Sequence, residues 1–313
     1  MTRNKAPLPA KANGEPALGQ RKQQVLEMLE EASGTSGVAS GWASGELISE
    51  RLGISRAAVS KHVSALRRDG HIIDSAPRRG FYLRVRDSVP ARAEVCRGLN
   101  AKIAGKGEWR SLEETTSTSS EAVAWASEGA REGCMVLAEK QTRGRGRNGH
   151  DWFSAPRGLQ LSLILRPRGA SFLSLPVEQA QTLLTRVAAL SVTEAVRAVT
   201  GLTPTLKEPN DVLLGKCKFC GVLVEAGFQA GSLDWVVIGI GCNVNALPED
   251  FPPALRAKTC SLLSAGGRSV SRPDLLRALL ERLDYWYDGF NSTSPERFAE
   301  CLGKLDAAWQ NGA

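Results

Sequence analysis

The chain lacks any apolar run that approaches the roughly 20 residues of a membrane-spanning helix. No apolar segment follows Arg3 and Lys5 near its start, so we expect neither a signal peptide nor a membrane partner. Histidine is also scarce, and His62, His71 and His150 are too dispersed to form a metal site. These absences predict a cytoplasmic protein without a metal centre built from clustered side chains.

Cysteine is present but not in a pattern that predicts disulfides. The seven cysteines are odd in number and scattered, which suits a reducing compartment. Cys217 and Cys220 form one CxxC, but no second pair completes a zinc site. On a single strand their odd separation would place the two side chains on opposite faces, so we interpret the pair as incidental.

Positive charge is concentrated at the start of the chain. Of the net charge of +7, residues 1–90 contribute 14 Lys and Arg minus 9 Asp and Glu, which is +5. This asymmetry is typical of a segment that contacts nucleic acid. The remaining length allows at least one further domain.

The basic segment predicts a winged helix-turn-helix domain over residues 20–86, after a Pro-, Ala- and Gly-rich tail at 1–19 that we expect to be disordered. Ser44 can cap a helix that Gly53 ends, and Ser55 can cap a second, basic helix.

A predicted hairpin over His71–Leu83, with Pro77-Arg78-Arg79-Gly80 at its tip, adds the wing. The alternative is a packing module with a solvated basic face, but turn, spacing and basic wing together favour DNA binding. The predicted DNA contacts are Ser55, Arg56, Ser60, Lys61, Arg67, Arg78 and Arg79.

Residues 87–108 predict a linker with a short amphipathic piece, and residues 109–313 predict a larger α+β domain with a mainly antiparallel sheet. In that domain, leucines alternate along Leu159–Leu165, which indicates a half-buried strand. Long helices are expected over Pro176–Thr200 and after Ser271.

The most distinctive stretch of the larger domain is a Gly/Arg loop, in which Arg143, Arg145 and Arg147 are interleaved with glycines. Backbone N–H groups of such a loop can form an anion-binding concavity, and the arginines add permanently charged forks. The loop therefore predicts binding of a carboxylate together with a phosphate. A disordered RNA-binding tract is disfavoured, because the run does not repeat and strand-like stretches bound it.

Two further motifs follow: Lys207-Glu208-Pro209-Asn210-Asp211 in a predicted turn, and Gly-Ile-Gly-Cys-Asn-Val-Asn at residues 239–245, of which 240–245 predict a loop. With the Gly/Arg loop, and in this order, they make the chain resemble the biotin–protein ligases. The resemblance is greatest to the bifunctional bacterial ligases that also repress the biotin operon, and it runs from about Gln20 to Asp306. It implies a ligase domain of the class II synthetase and biotin–lipoate ligase type.

The resemblance also implies roles for individual residues. Lys218 and Arg147 are the implied catalytic cations. The implied biotin contacts are Ser117, Thr118, Ser119, Gln141, Gly144, Arg145, Gly146, Arg147, Lys218 and Gly221. The implied contacts to ATP or the adenylate are Arg145, Arg147, Trp152, Asn210, Asp211, Lys218 and Asn243, with Mg2+ arriving with ATP near Asp211.

Each of these residues also has an ordinary interpretation: the hydroxyls are helix caps, Lys218 a solvated strand lysine, Trp152 a core residue and Asn243 a turn former. Their occurrence together, in the order of the family, favours the site.

The implied reaction joins biotin to ATP as biotinyl-5'-AMP and then transfers biotin to a lysine of a biotin carboxyl carrier protein. The implied partners are that carrier, operator DNA and a second copy of the chain when the adenylate is bound. One alternative is a DNA-binding regulator whose ligase domain only senses biotin or its adenylate. Another is a lipoate ligase on the same fold, which the Gly/Arg loop and the Pro-Asn-Asp motif disfavour.

The sequence departs from the family pattern at several positions. Ser119 replaces asparagine, Glu208 stands where tryptophan is usual, and Asn148 replaces a frequent arginine. The chain stops at Ala313, about where the small C-terminal domain of the family would begin, so we expect that domain to be missing. This favours the sensing alternative, whereas the intact Gly/Arg loop and Lys218 favour the ligase.

Overall fold

A computed structural model describes residues 18–34, 42–68, 72–84, 89–229 and 232–312. The chain divides into two compact units, with the boundary after Arg84. Most of the predicted N-terminal tail lies outside the described residues, and the first helix already begins at Leu18. In the part of the chain that the structure describes, no helix is both long and apolar enough to cross a membrane.

The first unit contains three helices and a hairpin, which confirms the predicted winged helix-turn-helix. Its elements are α1 (Leu18–Gly34), α2 (Gly45–Leu52), α3 (Arg56–Arg68), β1 (Ile72–Ala76) and β2 (Gly80–Arg84). The apolar faces of the helices meet in a small core, because the periodic positions of each helix point inward. This core contains Val25, Leu29, Ile48, Val59, Val63 and Leu66.

Local chemistry fixes the helix boundaries of the first unit where the sequence predicts them. The Ser44 Oγ accepts a hydrogen bond from the Glu46 N–H, and the Ser55 Oγ accepts one from the Ala58 N–H at 3.1 Å. Gly53 ends α2 in the left-handed conformation, with φ of 62°. Gly80, also at positive φ, leaves no room for a Cβ against the Ala43 backbone, so the turn of the wing requires glycine.

The second unit is an α+β domain. Its strands are β3 (Trp109–Thr115), β4 (Met135–Gln141), β5 (Gly144–Arg145), β6 (Asp151–Trp152), β7 (Leu159–Leu165), β8 (Thr205–Lys207), β9 (Asp211–Leu214), β10 (Cys217–Gln229) and β11 (Ser232–Cys242). Its helices are α4 (Arg92–Cys96), α5 (Thr118–Ser127), α6 (Ala170–Leu173), α7 (Val177–Thr200), α8 (Pro253–Arg256), α9 (Leu262–Gly266), α10 (Arg272–Phe290) and α11 (Pro295–Gly312).

Seven of these strands form one sheet in the order β3-β4-β7-β11-β10-β9-β8. Only β3 and β4 run parallel, and the other neighbours are antiparallel, as predicted. The helices α7 and α10 cover one face of the sheet in the main core, whereas α5 packs on the other face.

Strand β7 corrects the prediction of a half-buried strand, because all seven of its residues are buried. Its four leucines join the main core, while Ile164 packs in the smaller core with Trp125. The alternation of leucine with other residues therefore marks two covered faces rather than one covered and one solvated face. The polar residues Gln160 and Ser162 lie on the α5 side, where the candidate site is built.

The predicted linker at 87–108 is also corrected, since its described part packs on the second unit. Val95 of α4 and Leu99 are buried in the main core. The Asp284 carboxylate accepts hydrogen bonds from the backbone N–H groups of Lys102, Ile103 and Ala104 at 2.7 to 2.9 Å. These contacts are distant in sequence, so the short apolar pattern of the segment did not reveal them.

The predicted loop at residues 240–245 is likewise shorter than expected, because β11 continues to Cys242. Gly241 pairs with Gly221 of β10 on one side and with Gln160 of β7 on the other. The glycine-rich motif is thus central sheet, and only its last three residues leave the strand.

Candidate functional site

A cavity of about 350 Å³ lies between the Gly/Arg loop and strands β10 and β11. It brings together most of the residues predicted to bind biotin and ATP, although they come from six separate segments. Ser117, Gly144 and Asn243, also predicted as contacts, do not line it. The predicted residues in its wall are Thr118, Ser119, Gln141, Arg145, Gly146, Arg147, Trp152, Asn210, Asp211, Lys218 and Gly221.

Lys218 points into this cavity from the start of β10. Its Nζ lies 2.6 Å from the Asp211 Oδ1 on the neighbouring strand and 5.5 Å from the centroid of the Trp152 ring. A carboxylate on one side and an aromatic face on the other fix the position of the ammonium. The site therefore holds a cation in a defined place before any ligand arrives.

The Trp152 indole lies against the backbone of the sheet. A Cβ at Gly241 would collide with the indole, and a Cβ at Gly221 would lie 3.2 Å from its Cζ3. The Nε1 donates a hydrogen bond to the Gln160 Oε1 at 2.9 Å. Two glycines on adjacent strands thus make room for an aromatic wall, which the sequence pattern alone could not show.

The start of α5 forms the polar end of the cavity. Ser117 is the N-cap of α5 and accepts a hydrogen bond from the Ser120 N–H, so its side chain has the ordinary capping role. Thr118 donates from its backbone N and its Oγ1 to the Gln141 Oε1, at 2.7 and 3.1 Å. Ser162, which the sequence analysis missed, donates to the Thr118 Oγ1 at 2.9 Å. Polar residues within an apolar strand were the signal that could have found it.

The Gly/Arg loop treats its arginines differently. Arg145 donates to the Glu225 Oε1 at 2.7 Å and to the Ser120 Oγ at 3.4 Å. The Arg147 side chain is exposed and has no hydrogen bond or ion pair with any described residue. Gly144 is needed for the close pairing of β5 with β6, because a Cβ there would lie 2.5 Å from the Trp152 carbonyl oxygen. The guanidinium of Arg145 is therefore held in place by its hydrogen bonds, whereas that of Arg147 is exposed to solvent.

Asn210 and Asn243 are tied into the fold. The Asn210 Nδ2 donates to the Val222 carbonyl at 2.7 Å. The Asn243 side chain is buried, and its Nδ2 donates to the Cys260 carbonyl at 3.2 Å. Asn243 supports the segment that follows β11, and the structure does not bring it to the cavity as predicted.

Two of the free cysteines around Lys218, Cys242 and Cys260, have thiols with a raised pKa. Cys220 lies opposite Cys242 on β11, and the hydrogen bond that the Cys242 thiol makes to Cys220, followed by burial, raises the pKa of Cys242. Burial, followed by the neighbouring Cys217, raises the pKa of Cys260 to about 12. Across the five described ranges, no group of three or more His, Cys, Asp or Glu side chains is placed to hold a metal ion.

A second candidate surface lies in the first unit, in a groove of about 740 Å³ between α3 and the wing. Arg56, Ser60 and Arg78 line this groove, and Lys61 is exposed on α3. Arg56 is paired with the Glu46 carboxylate at 2.5 Å, whereas Ser55 caps α3.

Two other exposed, predicted DNA contacts, Arg67 and Arg79, also make contacts within the first unit. The Arg67 Nε and Nη2 both donate to the Ile73 carbonyl, at 2.8 and 2.6 Å, so this guanidinium fastens α3 to β1. The Arg79 guanidinium lies 4.7 Å from the centroid of the Trp42 ring, which also contacts Tyr82. Arg67, although exposed, thus has a structural role in addition to its predicted DNA contact, which stays a prediction.

Comparison with known proteins agrees with the division into two units. A model of the biotin/lipoate A/B protein ligase family matches residues 111–243, and a model of an HTH domain matches residues 21–82. The bifunctional ligase/repressor BirA of Bacillus spizizenii is 32% identical over 275 residues, covering 86% of this chain and 80% of that protein. The chain belongs to the bifunctional biotin ligase/repressor family.

One further relative and one solved structure support the ligase fold of the second unit. The biotin–[acetyl-CoA-carboxylase] ligase of Mycobacterium tuberculosis is 32% identical, covering 65% of this chain and 74% of that protein. The structure of the Aquifex aeolicus biotin protein ligase in complex with biotin and ATP has a TM-score of 0.51 at 31% identity. It covers 63% of this chain and 75% of that chain. The predicted ligase fold is confirmed.

Proposed function

We propose that this protein is an ATP-dependent biotin–protein ligase that also represses transcription in response to biotin. One observation carries the ligase assignment: Lys218, Arg147 and the polar start of α5 line the same cavity of about 350 Å³. Cations at one wall suit a phosphate and a carboxylate, and hydroxyl and amide groups at the other suit a neutral polar ring.

In the first step, the biotin carboxylate attacks the α-phosphorus of ATP, a P–O bond forms and pyrophosphate leaves. Negative charge grows on the phosphoryl oxygens, and the Lys218 ammonium, which Asp211 holds in the cavity, is the cation proposed to stabilise it. Arg147 supplies a second cation when the loop contacts the phosphates. Mg²⁺ fits as a companion of ATP, since one carboxylate, here Asp211, and phosphate oxygens are its usual ligands, and it supplies charge neutralisation.

In the second step, a neutral lysine amine of a biotin carboxyl carrier protein attacks the acyl carbon of biotinyl-5'-AMP. A C–N bond forms, AMP leaves and the amine loses its proton. The relative named as acting on acetyl-CoA carboxylase supports this class of acceptor. Closure of the Gly/Arg loop over the anhydride would exclude water, which otherwise hydrolyses it.

The repressor assignment rests on the winged helix-turn-helix unit and its exposed basic surface. We propose that the adenylate-bound protein forms a homodimer that binds operator DNA in the cytoplasm. In this scheme biotinyl-5'-AMP is both the reaction intermediate and the corepressor. A dimer fits an operator with two half-sites, because such motifs read one half-site per copy.

The deciding experiment is biotin-stimulated ATP–pyrophosphate exchange with the full chain. We expect exchange that depends on biotin and is absent with lipoate. Exchange with lipoate instead would assign the lipoate reaction. Tight biotin binding without any exchange would assign a regulator that senses biotin and does not activate it.

A further inference from the structure

Three buried hydroxyl groups meet at the polar end of the cavity. Thr118 and Ser119 lie in the first turn of α5, and Ser162 approaches them from the middle of β7. The Ser162 Oγ is 2.9 Å from the Thr118 Oγ1 and 3.2 Å from the Ser119 Oγ. Ser162 is fully buried and does not line the cavity, so it touches a ligand only through its two neighbours.

The direction of every hydrogen bond in this group follows from one backbone donor. The Thr118 N–H can only donate, so the Gln141 atom at 2.7 Å from it is the amide oxygen. That oxygen can only accept, so the Thr118 hydroxyl donates its single hydrogen to it, at 3.1 Å. The Ser162 hydroxyl must then donate to Thr118, because the Thr118 hydrogen is already used.

The same reasoning fixes the last hydroxyl. The Ser162 hydrogen is used towards Thr118, so Ser119 donates its own hydrogen to the Ser162 Oγ. Ser119 therefore has only lone pairs left to offer to the cavity. On the opposite side stands Gly239, where even a Cβ would lie 2.5 Å from the Ser119 Oγ, so no side chain of β11 intervenes.

We propose that Ser162 is a positioning residue that makes this end of the cavity specific for an N–H donor. Ser119 then accepts a hydrogen bond from a ureido N–H of biotin. This inference rests on the proposed ligase function and adds a residue that acts through two others. Without the Ser162 hydroxyl, the Ser119 hydroxyl is free to rotate and can donate as well as accept.

The test compares biotin with the two cyclic carbamate analogues, in each of which a ring oxygen replaces one ureido N–H. Dissociation constants are measured by calorimetry for the wild-type chain, Ser162→Ala and Ser191→Ala. Ser191 is an equally buried serine whose hydroxyl donates within α7, to the Val187 carbonyl. It controls for the loss of a buried hydroxyl away from the cavity.

We expect the wild type and Ser191→Ala to prefer biotin over at least one carbamate by about tenfold or more. Ser162→Ala should bring that preference to within about threefold. An unchanged preference in Ser162→Ala would overturn the role proposed for Ser162. It would not contradict the proposed ligase function, because the chain would still bind biotin. If Ser162→Ala does not fold, Ser119→Ala must lose the same preference, and its retention there would overturn the proposal too. A wild type that does not bind biotin contradicts the ligase function as well.

Discussion

Each of the two units contains basic side chains of two kinds, those held by a hydrogen bond or ion pair and those that are exposed. In the second unit, Lys218 and Arg145 are held by carboxylates at 2.6 and 2.7 Å, whereas Arg147 is exposed and unpaired among the described residues. In the first unit, Arg67 is held by a backbone carbonyl, whereas Lys61 is exposed. Held cations have a fixed position, and exposed cations have their full charge available to an incoming phosphate.

This difference predicts different responses to substitution. A held cation that faces the ligand is preorganised, so its removal is most costly. A held cation that faces the protein supports the fold, and its removal affects binding only indirectly. An exposed cation contributes charge that salt screens.

Lys218→Ala tests the held cation of the cavity and has the largest expected effect. We expect biotin-stimulated ATP–pyrophosphate exchange to fall by about 10² to 10³, because the cation held in advance is lost. Lys216→Ala, at an exposed lysine in the preceding turn, is the matched control and should retain activity. Similar losses in both variants would contradict the assignment of Lys218.

Arg147→Ala tests the exposed cation of the Gly/Arg loop. We expect a loss of exchange of about 10- to 100-fold, since the guanidinium must be recruited by the ligand rather than being held in advance. Arg143→Ala is the control in the same loop, because Arg143 does not line the main cavity. An effect of Arg143→Ala as large as that of Arg147→Ala would remove the distinction between the two arginines.

Lys61→Ala combined with Arg79→Ala tests the exposed basic surface of the first unit. We expect weaker operator binding and a salt dependence whose slope falls by about 2, the result for two side chains that each neutralise one DNA phosphate. Exchange activity should remain at the wild-type level. A folded double variant that loses both activities would show that the two surfaces do not act separately.

Arg67→Ala has the smallest expected effect on DNA binding. It is the clearest test of the difference between held and exposed cations. The variant loses both hydrogen bonds to the Ile73 carbonyl, so its unit should be less stable by about 1 to 3 kcal/mol. If its role is only structural, the slope of log affinity against log salt should match that of the wild type. A slope reduced by about 1 would restore Arg67 as a DNA contact.

Features with local causes could be predicted from the sequence. Ser44, Gly53 and Ser55 act through neighbours within a few residues, so the helix boundaries follow from the sequence. The Gly/Arg loop is similarly local, since its alternation of small and charged residues predicted a loop at the cavity, whose wall contains Arg145, Gly146 and Arg147. The same holds for the tip of the wing.

Features that depend on distant contacts could not be predicted. The sequence around Val95 did not indicate that its segment packs in the core of the second unit. The sequence around Asn243 did not indicate that its side chain is buried and bonded to the Cys260 carbonyl. Ser162 was missed because the leucines on the other face of its strand dominate the sequence pattern, although its hydroxyl bonds to Thr118. Burial on both faces of a central strand is decided by helices that lie far away in sequence.

The most direct test of the central claim is ATP-dependent transfer of biotin to an apo biotin carboxyl carrier domain, followed by mass spectrometry, with Lys218→Ala measured in parallel. We predict that the wild-type chain adds one biotin to the carrier lysine and that the variant does so at least about 100-fold more slowly. Biotin binding without any transfer would contradict the account and would leave DNA regulation as the function of this protein.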